Sequence, residues 1–198
     1  MSIHKLLRSF FVIILFFTST RAISQNTFSL KLSDAALELT KQKVIYDPGY
    51  YKIAYPNGDL PADRGVCTDV VIRAYRKLGI DLQKEVHEDM VDNFSKYPKI
   101  WGLSKTDKNI DHRRVPNLMV FFKRHGQVKA ITSKSADYLP GDLVCWNLGG
   151  GITHIGIVVN KKSADGARNL IVHNIGGGHV LADCLFQFKI IGHYTYSK

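Results

Sequence analysis

The chain is short of cysteine, tryptophan and acid: its 198 residues hold three cysteines, two tryptophans and 17 carboxylate side chains against 27 lysines and arginines. Three cysteines, Cys67, Cys145 and Cys184, cannot build a disulfide framework, and an odd number leaves at least one thiol free or paired between chains. Neither a CxxC nor an HExxH segment occurs, so the compact zinc spacings are missing. No apolar run reaches the roughly 20 residues that cross a bilayer. Internal repeats, low-complexity tracts and linkers are also missing, which argues for one domain with one sizeable core.

The longest apolar run, Phe10 to Phe17, follows Lys5 and Arg8 and has the look of a signal peptide. Small residues at Ala22 and Ser24 fit a cleavage site, so residues 1–24 are expected to be removed and 25–198 to form the mature domain, exported and without a membrane span. An uncleaved anchor is the other reading of the same segment. The formal charge of +10 includes Lys5, Arg8 and Arg21, so the mature chain remains basic at +7. In an exported protein that balance favours anionic partners of the cell envelope. No nucleic-acid-binding motif is visible and the aromatics fall in core patterns, so no nucleic-acid partner is expected.

Periodicity places helices first and strands last. Ser33 is expected to cap a helix running to Lys43, and a second helix runs from Cys67 to Gly79. Leu82, Val86, Met90 and Phe94, four apart, predict a third over residues 82–94, and Pro116 opens a fourth from Val115 to His125. Strands follow at Val128 to Thr132, Asp142 to Leu148, His154 to Val159, Asn169 to Asn174 and Ile190 to Tyr196. This order predicts an α+β domain whose antiparallel sheet packs on the Cys67 helix.

Cys67 follows the turn-rich stretch Pro56-Asn57-Gly58-Asp59-Leu60-Pro61 and opens a helix, where free N–H groups and the dipole favour a thiolate. Two histidines lie on expected strands, His154 in Thr153-His154-Ile155-Gly156 and His173 in Val172-His173-Asn174. The order cysteine, histidine, polar residue is the one a thiol hydrolase needs. Cys67 would attack a carbonyl, His154 would move the proton, and His173 or Asn174 would hold the His154 ring. Strand alternation forbids both of the last two from pointing at His154. Each also has an ordinary reading: strand histidines are often structural, Cys145 fits a buried core position, and a Cys145 to Cys184 bridge stays open.

These residues carry a resemblance. Cys67-Thr68-Asp69 opening a helix, Pro140-Gly141-Asp142-Leu143-Val144 leading a strand, His154-Ile155-Gly156-Ile157-Val158 and Val172-His173-Asn174 resemble the NlpC/P60 superfamily of papain-like cell-wall peptidases and amidases. The region from Tyr46 to Tyr196 is closer to DUF1287, through Gly65-Val66-Cys67-Thr68-Asp69-Val70-Val71, the segment Asn109 to Leu118, and Gly192-His193-Tyr194. Val66 before the cysteine and Thr68-Asp69 after it depart from the superfamily's Asp before and Ser-Gly after. The resemblance implies a papain-like fold, amide cleavage in the peptides of peptidoglycan, and His173 as the orienting residue. It also implies an oxyanion helper upstream of the cysteine, for which Tyr55 is the candidate beside the Cys67 N–H.

Asp69, Asp111, His112 and Arg113 are candidate substrate contacts, the last three shaping a pocket with Arg114 ahead of the Pro116 helix, although helix capping alone accounts for Asp69 and could account for Asp111. Residues 107–118 fail as a calcium loop, since His112 stands where glycine is needed and Leu118 where a glutamate is needed. A zinc site of His154, His173, His179 and Asp183 matches no compact motif, so neither metal nor cofactor is expected. Two other activities compete with amide cleavage. One is a thiol acyltransferase or deacylase on lipid; the other is a cell-wall binding protein that kept the fold and lost turnover.

Overall fold

The computed structural model describes residues 27–198, and the expected signal peptide lies outside them. Helix α1 covers 27–39. Two short strands follow, β1 (Ile45–Tyr46) and β2 (Arg64–Gly65), then helices α2 (Cys67–Lys77), α3 (Leu82–Asn93) and α4 (Val115–His125). Strands β3 (Gln127–Val128), β4 (Leu143–Asn147), β5 (Thr153–Lys162), β6 (Asn169–His173), β7 (Val180–Ala182) and β8 (Lys189–Thr195) make one antiparallel sheet in the order β3-β8-β4-β5-β6-β7. The class is the α+β expected. Among the described residues no helix is long and apolar enough to cross a membrane.

Local chemistry explains the helix limits. Leu82, Val86 and Met90 are fully buried on one face of α3, and the Asp81 carboxylate caps it by accepting the Gln83 and Lys84 N–H groups. Helix α4 has Pro116 in its first turn, where a missing N–H costs nothing. Its Leu118, Phe121 and Phe122 enter an aromatic core with Tyr75, Tyr194 and Tyr196.

Strand alternation gives the sheet two different faces. Leu143, Cys145, Ile155, Ile157, Val159 and Val172 pack beneath the helices with Cys67, Val70 and Val71. Val144, Trp146, Val158 and Ile171 join a second core closed by Tyr138, Cys184 and Leu185. Cys145 and Cys184 therefore belong to cores on opposite faces, and all three cysteines are free, which closes the question of a bridge between them. A Cβ on Gly156 would stand 2.6 Å from Ile171 Cγ2 and 3.2 Å from His173 Cβ, so glycine is what lets β6 close on β5 beside the histidines.

Two expectations need correction, and one pairing was unforeseen. Ser33 lies inside α1 rather than at its start, fully buried, where its Oγ accepts the Asn160 N–H at 2.8 Å and ties the helix to the sheet. The strand expected at 128–132 shrinks to Gln127–Val128, although the Lys129 N–H still donates to His193 O at 2.9 Å. The parallel pairing of Ile45–Tyr46 with Arg64–Gly65 was not anticipated, because two-residue strands carry no periodicity.

Candidate active site

Strand β2 ends at Gly65, Val66 continues extended as the N-cap, and Cys67 is the first residue of α2. Valine has no side-chain acceptor, so Asp69, in the helix's first turn, takes over: its Oδ2 accepts the Val66 N–H at 2.7 Å. The same carboxylate receives Arg113 Nε at 3.1 Å and Nη2 at 3.3 Å. Arg113 also donates to the Gly49 carbonyl at 2.9 Å and the Asp47 carbonyl at 3.2 Å, and its own carbonyl accepts the Thr68 hydroxyl. With side chains only 2% and 3% exposed, Arg113 and Asp69 form an internal ion pair that fixes the α2 start. Their polar atoms serve the fold, not a solute.

Asp111 and His112 are likewise interior. Asp111 Oδ2 accepts the Asp107 N–H at 2.8 Å and meets His87 Nδ1 at 2.9 Å, so this carboxylate shapes the preceding turn and does not cap α4. Burial raises its pKa against the opposing pull of His87. Burial drives His112 down to about 3, helped by Arg113 and Arg76, and its Nδ1 has no partner.

His154 and His173 do come together: Nε2 of His154 and Nδ1 of His173 stand 2.8 Å apart. Nε2 of His173 then meets Cys184 Sγ at 3.7 Å, and the His154 ring lies 5.8 Å from the Trp146 ring. Burial first, then His173, holds His154 down at about 3; burial also lowers His173. His154 Nδ1 makes no hydrogen bond among the described residues. Asn174 turns the other way and donates from Nδ2 to the Gly65 carbonyl at 3.0 Å, bracing the strand that leads to Cys67.

The Cys67 thiol meets β5 at the main chain of Ile155 on the helix face of the sheet, whereas His154 and His173 lie on the other face with Trp146 and Cys184, and no hydrogen bond joins the thiol to either histidine among the described residues. Burial pushes its pKa up to about 11, against the smaller opposite pull of the Ile155, Thr68 and Cys67 N–H groups. This overturns the expectation of a resting thiolate at the helix end. Desolvation outweighs the helix dipole at a residue 7% exposed.

Cys67 opens into a cavity of about 190 Å³ whose walls include Tyr46, Trp101, Arg113, Arg114 and Thr153. Tyr46, brought there by the β1–β2 pairing, occupies the place expected of Tyr55. Tyr55 instead packs edge-on to His87 and beneath Lys108. Among the described residues His179 and Asp183 make no hydrogen bond to the histidine pair: the first is under the influence of Arg73 and Asp59, the second is paired with Arg168 at 2.6 Å. Arg114, expected with Asp111, His112 and Arg113 to shape a substrate pocket, does line the cavity, whereas sequence reasoning passed over Trp101 and weighed Cys184 only as a bridge partner. The one available signal was a tryptophan stranded in the loop Pro98-Lys99-Ile100-Trp101-Gly102, where no core pattern calls for it.

A family model described as a domain of unknown function, DUF1287, matches residues 33–196. The uncharacterized protein YijF of Escherichia coli (strain K12) is similar, 47% identical over 174 residues that cover 88% of this chain and 84% of that protein. No solved structure matches the chain. With the match running from α1 through Cys67 and the histidine pair to the residue after β8, the chain belongs to the DUF1287 family.

Proposed function

We propose that the protein is an exported cysteine hydrolase of papain-like design that cleaves an amide bond in the peptide part of peptidoglycan. What supports the reading is a cysteine at the start of α2 together with a buried histidine pair, His154 Nε2 to His173 Nδ1 at 2.8 Å with His154 Nδ1 open; the two lie on opposite faces of the sheet, Cys67 with Ile155 under the helices and the histidines with Trp146 and Cys184. The hydrolase reading therefore requires more than a tightening of an open site: the start of β5 must turn so that His154 Nδ1 comes round to the face where Sγ stands. The thiol proton passes to His154 as Sγ bonds to the carbonyl carbon, and the oxyanion meets the Cys67 N–H. The C–N bond then breaks, His154 returns the proton to the departing amine, and a thioester remains. Water attacks the thioester, giving up a proton to His154, and releases a carboxylic acid and the restored thiol.

The neutral starting pair sets a prediction. With thiol and imidazole held near 11 and 3, alkylation of Cys67 by iodoacetamide is expected to keep rising past pH 8.5. A plateau well below that pH would show a preformed thiolate and a different mechanism.

Cys184 gives a second reading its one specific support, as it is the cysteine in contact with a histidine. Against it, burial drives Cys184 up to about 12 in the small second core. Mature protein and its Cys67→Ala and Cys184→Ala variants, incubated with purified cell wall and assayed for released peptides by mass, separate the two. Loss of new termini in Cys67→Ala with release retained in Cys184→Ala is expected. The reverse pattern transfers the nucleophile to Cys184, and release by none of the three ends the hydrolase assignment for this polymer.

A further inference from the structure

Two neighbouring arginines border the Cys67 cavity and have opposite fates. Arg113 spends its guanidinium on Asp69 and two main-chain carbonyls. Arg114 makes no ion pair and no side-chain hydrogen bond among the described residues, and its Nη1 is buried without a partner. Of the two acids that influence it, Asp107 accepts from Tyr50 and Asn109, while Asp111 accepts from His87 and the Asp107 N–H at Oδ2 and keeps its Oδ1 buried without a partner, within the field of Arg114 but not bonded to it. A buried donor on a cationic group left unmade costs stability, which argues that something absent from the free protein completes it.

The arginine is also held in position. Its Cζ lies 4.3 Å from the centroid of the Trp101 ring, a stacking distance for a guanidinium on an indole. Trp101 is 54% exposed and adopts φ 71°, a left-handed conformation that a bulky residue avoids at a cost of roughly 1–3 kcal/mol. The N-terminal residues of α2 and α4, Cys67 and Val115, border the same cavity, so two helix ends add positive potential to that of Arg114. At about 190 Å³ the space is smaller than a site for a drug-sized ligand, for which about 300–1,000 Å³ is usual, and suits one residue of a longer substrate.

We propose that Arg114, stacked on Trp101, recognises a carboxylate carried by the substrate residue beside the bond that Cys67 attacks. The inference deepens the hydrolase reading and rests on it for the role of the neighbouring bond, while the carboxylate preference can be measured as binding alone. The carboxylate could be an acidic side chain or a chain terminus; both would form the same two-pronged bond with a guanidinium. Arg114 is thereby the specificity residue of the site, and Trp101 is its positioning residue.

The test is calorimetric titration of the full mature chain carrying Cys67→Ala, which removes turnover. The probes are acetyl-alanyl-glutamyl-alanine, with the central residue in each chirality, and versions amidated at the side chain, at the terminus, or at both. Binding of the free acid at least tenfold tighter than the double amide is expected, and the singly amidated probes tell which carboxylate is read. Adding Arg114→Gln should erase that preference, a loss of about tenfold to hundredfold, with only a small change in melting temperature, because Arg114 makes no internal hydrogen bond or ion pair and its stacking partner Trp101 is exposed. Arg114→Lys should recover part of the affinity, and Trp101→Ala should weaken the acid probes more than the double amide. Equal binding of acid and double amide, a preference that survives Arg114→Gln, or no binding of any acid probe at millimolar concentration would overturn the proposal. If binding behaves as expected and wild-type protein cleaves none of the probes or cell-wall peptides, only the nucleophile assignment falls.

Discussion

Lowering the pH from 7 to 5 is expected to remove about 5 kcal/mol of folding stability, enough to unfold a domain whose total is about 5–15 kcal/mol. The cause is three buried histidines kept neutral by the fold: His112 and His154 at about 3 and His179 at about 4, against an ordinary value of 6.5. Desolvation leads in each case. Arg113, Arg76 and His87 add to it at His112, His173 adds to it at His154, and Arg73 adds to it at His179. Asp107 opposes the shift at His112, and the Leu39 main chain and Asp59 oppose it at His179, without reversing it.

For groups whose folded pKa is depressed, the unfolded chain binds the extra protons. Stability is therefore full above 6.5 and falls as the pH drops toward the folded values. Each histidine contributes a slope of about 1.4 kcal/mol per pH unit in that window, or about 4 for the three together. Asp111, with its pKa raised, works weakly the other way; Asp47 and Asp89, at about 2, add to the loss only below their ordinary 3.8. Urea midpoints measured by circular dichroism between pH 7.5 and 4.5 should show this slope, and His112→Asn should reduce it by about one third whatever its effect at pH 7. A stability that changes by less than about 1 kcal/mol from pH 7 to 5 would mean that the interior hydrates or protonates these rings in the native state.

The same burial explains why some of the molecule was legible in the sequence and some was not. Helix α4, Val115–His125, matches its expected bounds, and α3 ends one residue early, because Pro116, Gly126 and the four-residue spacing of Leu82, Val86 and Met90 are local signals. Strands β4, β5, β6 and β8 fall where alternation placed them to within three residues at either end. Asp69 and Arg113 read as polar residues near a nucleophile, and nothing local says that residues 44 apart in sequence would neutralise each other inside the protein. Tyr46 reached the cavity through a two-residue parallel bridge that no period announces. The thiol's pKa went astray for a related reason: a helix start is visible in sequence, whereas the depth of burial that outweighs it belongs to the assembled fold.

Asp69→Ala is expected to destabilise the protein by about 3–5 kcal/mol, because it strands the Arg113 guanidinium in the interior without a counter-charge. A further cost of about 1 kcal/mol is due to the Val66 N–H, which loses its acceptor at the start of α2. Asp69→Asn keeps an oxygen for Val66 while removing the charge, so it should recover that smaller share and leave most of the penalty. Replacing both partners, as in Asp69→Ala with Arg113→Met, removes the stranded charge along with its cause. The double variant should therefore be less destabilised than the two single losses added together, with a coupling of about 2 kcal/mol or more in a urea-denaturation cycle. It will not return fully to wild type, since the Gly49 and Asp47 carbonyls lose their donors in every variant that lacks Arg113. Strict additivity, or an Asp69→Ala cost under about 1 kcal/mol, would show that water reaches the pair and screens it. In that event the α2 start would be held by packing alone, and Cys67 would lack the electrostatic clamp that fixes it against Ile155.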